Sequence, residues 1–293
     1  MNTFTYTKNL TLAFAASVCL ATSGQAATYL LDVESKAQDQ SATPTVTSKS
    51  DRTVDDFETE IDLAFSHATG RSSSGAQLIA NPQTGVIKSF TTIGVTTGST
   101  GRATGRAQSK ITIEETFTAA GNGTATFSFA FDGLLRAAGD LGSASVAAYL
   151  SFFTRKADFT IERPEIEWKA SFGSRDGAFS TFVNNALTTN PLAEFAVDEE
   201  ISLSIDLVEA QELDVVLRFQ TLASSTEARS GSGTSDFFST GYLGFITTGG
   251  LALTASDPDF LSSLAVPIPV PASFGFLLAG IGMLGAARLN RRS

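Results

Sequence analysis

One cysteine and one histidine in 293 residues remove most metal and nucleophile chemistry before any motif is sought. The cysteine, Cys19, lies in an apolar N-terminal stretch, so the chain beyond it can form no intramolecular disulfide, thiolate nucleophile or thiolate metal site. It follows Val18, where a lipoprotein signal needs a small residue, so a lipid anchor on Cys19 is excluded. His67 alone cannot build a histidine metal cage, and any Ser-His-Asp triad would depend on it. It shares parity with Phe57, Ile61, Leu63 and Phe65, which makes it the end of a strand with no catalytic duty. No glycine loop followed by Lys-Ser or Lys-Thr cradles a phosphate. Gly231-Ser232-Gly233 lacks the strand and helix of a nucleophile elbow. Positive charge is scarce too. Without Lys8 and the three terminal arginines, 16 basic residues oppose 30 acidic ones, a net charge near −14, which excludes nucleic acid as a partner.

Helical periodicity is also scarce, and two-residue alternation takes its place. Phe127, Phe129 and Phe131 alternate with Thr124, Thr126 and Ser128, and Asp132-Gly133 reads as the turn that ends their strand. Ile111, Ile113 and Phe117 form another apolar row, joined to the first through Ala119–Gly123 as a hairpin. Further strands are expected at 54–66, 86–96, 143–153, 159–161, 166–172, 201–207, 213–222 and 237–246. Gly/Ser/Thr connections are expected at 70–75, 97–105 and 224–235, and a short helix at 178–186, before Asn190-Pro191. Many strands with polar turns predict an all-β fold, an antiparallel β-sandwich of jelly-roll-like form, over residues 27–265.

The two ends have a different character. Lys8, the apolar stretch Leu10–Ala21 and Gly24-Gln25-Ala26 compose a signal peptide over residues 1–26, cut by signal peptidase after Ala26. At 266–293, alternate prolines precede 14 apolar residues, Phe274–Ala287, and then Arg288, Arg291 and Arg292. The prolines resist helix and keep the approach extended. As helix the apolar run rises about 21 Å against about 30 Å of hydrocarbon, which suits temporary retention better than a permanent anchor. The arginines are the cytoplasmic stop.

Ile268-Pro269-Val270-Pro271-Ala272-Ser273, the Gly/Leu-rich helix and the arginine cluster resemble the VPLPA-CTERM sorting signal, a relative of PEP-CTERM. Isoleucine and valine stand at the two aliphatic positions of that motif. The resemblance implies an exosortase, a membrane transpeptidase of Gram-negative envelopes, cutting near Ile268–Ala272. It implies export, a transient stay in the inner membrane through the C-terminal helix, and delivery to the cell envelope or beyond among exopolysaccharide or biofilm. It assigns an address and no activity.

Within the body, Asp55–Phe65 is the most charged stretch, with Asp56, Glu58, Glu60 and Asp62 on one strand face. Glu60-Ile61-Asp62-Leu63 resembles the start of the catalytic strand in laminarinase-type jelly-roll glycoside hydrolases. That pattern needs a third acid one or two places on, and Ala64 and Phe65 stand there. An acidic strand that discourages edge pairing is the better reading. The body is therefore expected to be non-enzymatic and to need no cofactor. Its carboxylates suit a structural calcium without identifying a ligand set. A lectin-like role would need an exposed aromatic platform, whereas Trp168 shares a face with Ile166, opposite Glu165, Glu167 and Lys169, and is expected in the core.

Overall fold

The structure is a computed structural model that describes residues 28–262 apart from 40–44, 52–56, 68–69, 98–102, 156–160, 177, 191 and 229. The described residues are nearly all strand, and none lies in an α-helix. The strands are β1 (Thr28–Asp39), β2 (Thr45–Asp51), β3 (Phe57–His67), β4 (Gly70–Asn81), β5 (Val86–Thr97), β6 (Ala103–Ala120), β7 (Gly123–Gly139) and β8 (Leu141–Arg155). There follow β9 (Ile161–Glu162), β10 (Glu165–Arg175), β11 (Ala178–Val183), β12 (Ala186–Asn190), β13 (Glu194–Leu207), β14 (Glu212–Ala228), β15 (Ser230–Thr247) and β16 (Ala252–Ala255).

They form two antiparallel sheets. One has ten strands, in the order β12-β11-β10-β8-β14-β6-β1-β2, with β16 added to β6 and β9 to β8. The other has six, in the order β13-β7-β15-β5-β4-β3. The sheets pack face to face: β15 and β5 lie over β14, β4 over β6 and β1, and β7 over β8 and β10. This is the expected all-β sandwich.

Alternation decides which residues fill the space between the sheets. Phe127, Phe129, Phe131, Ile111, Ile113, Phe117 and Trp168 are all buried, as their parity predicts. Phe131 is the hub of the aromatic part, with ring centroids at 5.3 Å from Trp168, 5.4 Å from Phe129 and 5.6 Å from Phe219. Inward rows also grade in size. Along β8 the row runs Gly142, Ala144, Val146, Ala148, Leu150, Phe152, and along β6 it runs Gly105, Ala107, Ser109, Ile111, Ile113. The pairings set the small ends side by side: Gly142 is opposite Ser225 of β14, which is opposite Gly105 of β6. There the sheets close to backbone contact. A β-carbon on Gly142 would stand 2.1 Å from the Ser232 carbonyl oxygen.

Between the small end and the phenylalanines lies a band of buried hydroxyls. Ser89 on β5, Ser109 on β6 and Thr221 on β14 hydrogen-bond to one another across the two sheets, with Thr221 Oγ1 2.6 Å from Ser89 Oγ and 2.9 Å from Ser109 Oγ. Ser35 Oγ on β1 lies 2.5 Å from Ser74 Oγ on β4. Mutual pairing makes these groups tolerable away from water.

Several local expectations are corrected. Asp132-Gly133 is no turn, since β7 runs through it to Gly139. Ala119–Gly123 is no hairpin, because β6 and β7 belong to opposite sheets and the link crosses between them. The 178–186 helix is instead the β11–β12 hairpin. Asn184 (φ 45°) and Asn185 (φ 70°) form its two-residue turn, a conformation that asparagine tolerates and a two-residue hairpin requires. Residues 70–75 belong to β4, and 224–235 is mostly strand, as β14 runs to Ala228 and β15 starts at Ser230. Serine and threonine serve as interior residues here, so their abundance does not mark loops.

Candidate functional site

The residues assigned to processing, namely Ala26, Ile268, Pro269, Val270, Pro271, Ala272, Arg288, Arg291 and Arg292, lie outside the described residues. So do the side chains of β3, including Glu58, Glu60, Asp62 and His67. The β3 backbone is described, and among the described residues it is an outer strand of the six-stranded sheet, paired with β4. The opposite outer strand, β13, is acidic as well, with Asp198, Glu199 and Glu200 exposed. Like charge along both borders disfavours pairing with another sheet.

An acidic groove opens beside β13, lined by Asp132, Gly133, Leu134, Ala196, Val197, Asp198 and Asp236. Asp132 and Asp198 are directly opposed on β7 and β13. A bulge in β15 brings Asp236 to them: Asp236 and Thr240, four residues apart, face Leu134 and Asp132, two residues apart. Asp236 Oδ1 accepts a hydrogen bond from the Phe238 amide at 3.2 Å. Gly133 follows from the same bulge, because a β-carbon there would lie 2.5 Å from the Asp236 carbonyl oxygen. The groove is solvated and of one sign. It juxtaposes carboxylates with neither a desolvated acid nor a nucleophile.

A second site is buried. Glu115 stands on β6 in the same row as Ile111, Ile113 and Phe117, so alternation drives its carboxylate into the interior, where it is 3% exposed. Opposite it, the chain leaving β16 folds over the corner. Ser256 Oγ donates to Glu115 Oε1 at 2.7 Å, and the Asp257 amide donates to the same oxygen at 3.1 Å. The Ser256 amide donates to the Thr116 carbonyl at 2.8 Å, and the Leu261 amide to the Pro82 carbonyl at 3.0 Å. Residues 256–262 thus form a strap from the ten-stranded sheet to the β4–β5 turn of the other. Phe260 fixes it, its ring centroid 5.9 Å from that of Phe117 and 6.0 Å from that of Tyr29.

Asp257 is 5% exposed, and its Oδ1 accepts from the Asp259 amide at 2.9 Å. Glu115 Oε2 and Asp257 Oδ2 are both buried, with no hydrogen-bond donor among the described residues. Burial pushes the Glu115 carboxyl above the usual carboxylate range. Its hydrogen bonds from Ser256 and Asp257 oppose that rise, and the Asp257 charge adds to it. Tyr29, buried on β1, has its phenol raised by burial first and then by the carboxylates of Asp257, Glu115 and Asp259. The corner therefore holds two buried carboxylates, Glu115 and Asp257, with the exposed Asp259 near them.

No protein-family model, no curated protein and no solved structure matches this chain.

The outer face of the ten-stranded sheet carries two aromatic–arginine pairs. Tyr149 Oη donates to Glu165 Oε2 at 2.8 Å under the Arg218 guanidinium, which lies 5.4 Å from the ring centroid. Arg163 lies 4.9 Å from the Phe153 ring centroid. Trp168 packs inside at 7% exposure and offers no platform. Sequence reasoning missed both Glu115 and Asp257. Parity could have found Glu115, an acid between Ile113 and Phe117 on the inward face of β6. No sequence signal placed Asp257 against it, since the two are 142 residues apart.

Proposed function

We propose that this chain is an exported, non-enzymatic cell-surface or extracellular-matrix protein, processed by an exosortase at Ile268–Ala272 after signal peptidase has cut at Ala26. The observation that carries the reading is the order of features at 266–293: alternate prolines, a short glycine-rich apolar run and three arginines. The body fits such a destination. It is acidic and has no cysteine beyond Cys19, so its stability owes nothing to the redox state of its surroundings. Acidic strands border its six-stranded sheet, a device that keeps a concentrated extracellular protein from pairing edge to edge. A jelly-roll-like winding is the finer form we assign to the sandwich, supported by the links β5–β6, β6–β7 and β7–β8, which each pass from one sheet to the other.

The test is mass spectrometry of the carboxyl terminus of protein recovered from a Gram-negative host that owns an exosortase. Loss of the apolar run and of Arg288, Arg291 and Arg292 is expected. Replacing Pro269 and Pro271 with leucine should extend the helix and block trimming. An intact terminus at Ser293 in that host would refute the processing.

A glycan-binding role delivered by the same route is the second reading. Tyr149 and Phe153 favour it, being outward-facing aromatics flanked by Glu165, Arg163 and Arg218. Retention of the secreted protein on exopolysaccharide, lost on Tyr149→Ala, would establish it. Retention unchanged by that substitution would remove this face from consideration.

A further inference from the structure

We propose that Glu115 and Asp257 bind one calcium ion, which fastens the strap 256–262 to β6 and β1. Both side chains are more than nine-tenths buried, and each holds one oxygen that no described donor satisfies. Burying two neighbouring carboxylates in that condition costs several kcal/mol per charge unless a counter-charge is close. Among the described residues no lysine or arginine forms an ion pair with either. A cation between Glu115 Oε2 and Asp257 Oδ2 removes both penalties at once.

The donor set selects the ion. It is oxygen only, carboxylate with hydroxyl and carbonyl groups near, which suits a hard cation and not zinc or copper. Both carboxylates are buried, and a magnesium ion, which dehydrates reluctantly and keeps several waters, suits such a place less well than calcium. Asp259 adds a third carboxylate whose charge reaches Tyr29. No cluster of three or more acidic, histidine or cysteine side chains forms a ready cage among the described residues. Hydroxyl and main-chain oxygens with a few waters must therefore complete the shell, and affinity falls in the range of extracellular calcium modules, with Kd on the order of 0.1–1 mM.

The test uses the secreted, full mature protein after exhaustive chelation. Isothermal titration with calcium chloride should give one site per chain, and 10 mM calcium should raise Tm by several degrees, with little response to equal magnesium. Glu115→Gln and Asp257→Asn should each abolish both responses, while Asp198→Asn in the acidic groove retains them. In chelator, Glu115→Gln should be at least as stable as the parent, which separates a lost ligand from a damaged fold. Terbium supplies a second readout. Tyr29 lies beside the site, so bound terbium should luminesce on tyrosine excitation, lose that signal in Tyr29→Phe and be displaced by calcium. No calcium response in the parent, a response that survives both carboxylate substitutions, or luminescence independent of Tyr29 would each overturn the assignment.

Discussion

Gly233 on β15 and Ser143 on β8 meet across the sandwich: a β-carbon on Gly233 would lie 2.1 Å from the Ser143 carbonyl oxygen. Both partners are main chain, so no rotamer change can relieve the clash. Gly233→Ala should therefore force the sheets apart at their small-residue end and cost about 3 kcal/mol, read as a lower denaturant midpoint. Gly94→Ala is the control. Its nearest neighbour is the Ser73 hydroxyl at 3.4 Å, and stability should stay within about 0.5 kcal/mol of the parent.

The aromatic end answers to volume. Phe131 touches Phe129, Phe219, Phe237 and Trp168, and Phe131→Ala should cost about 4 kcal/mol. Trp168 is the sole tryptophan, so its fluorescence reports on that contact directly. The parent should emit to the blue and resist acrylamide quenching. Phe131→Ala should shift emission to the red before global unfolding begins.

The hydroxyl triangle of Ser89, Ser109 and Thr221 should be non-additive. Removing one member, as in Thr221→Val, leaves two hydroxyls short of a partner and should cost about 1–2 kcal/mol. Replacing all three together, Ser89→Ala, Ser109→Ala and Thr221→Val, removes every stranded group. Its cost should fall below the sum of the single costs by about 1 kcal/mol or more. Urea unfolding of the four variants checks this.

The Glu115 carboxyl gives the calcium-free protein a signed pH dependence. Its ionisation is raised in the folded state, so the folded chain keeps a proton that the unfolded chain releases at lower pH. The contribution is fully present below the unfolded value, about 4.3, and is lost as pH rises through the folded value. Burial is the main cause and the Asp257 charge adds to it, while Asp259 and the neutral Tyr29 phenol lie at the same corner. In chelator, the stability of Glu115→Gln minus that of the parent should therefore grow from about pH 4 upward. A flat difference would show that Glu115 ionises freely.

The sequence made the interior legible wherever side-chain size and parity agreed. Phe127, Phe129, Phe131, Ile111, Ile113, Phe117 and Trp168 all went where alternation sends them, and residues 57–65 of the acidic stretch lie in an outer strand. It misled where one residue type had two uses. Serine and glycine at 70–75 and 224–235 suit loops by composition, yet Ser72, Ser74, Ser225 and Ser235 are buried on strands, and at Gly233 not even a β-carbon fits. Asp132-Gly133 has the composition of a turn, but the glycine answers to a bulge that begins at Asp236 on β15. The Glu115–Asp257 contact is likewise a product of the tertiary fold, and no local pattern encodes it.

β16 and β1 share one side of β6, and they run in the same direction. Ala252–Ala255 pairs with Phe117–Ala120, and Thr28–Asp39 pairs with Ala103–Glu114. The two are one strand broken opposite Glu115, so the body is nearly a closed ring. A short peptide bridging Ser262 to Thr28, with the chain reopened at the Asn184-Asn185 turn, should give a circular permutant with the same two sheets. In that permutant the broken strand would become internal to the sequence, and the β11–β12 hairpin would supply the loose ends.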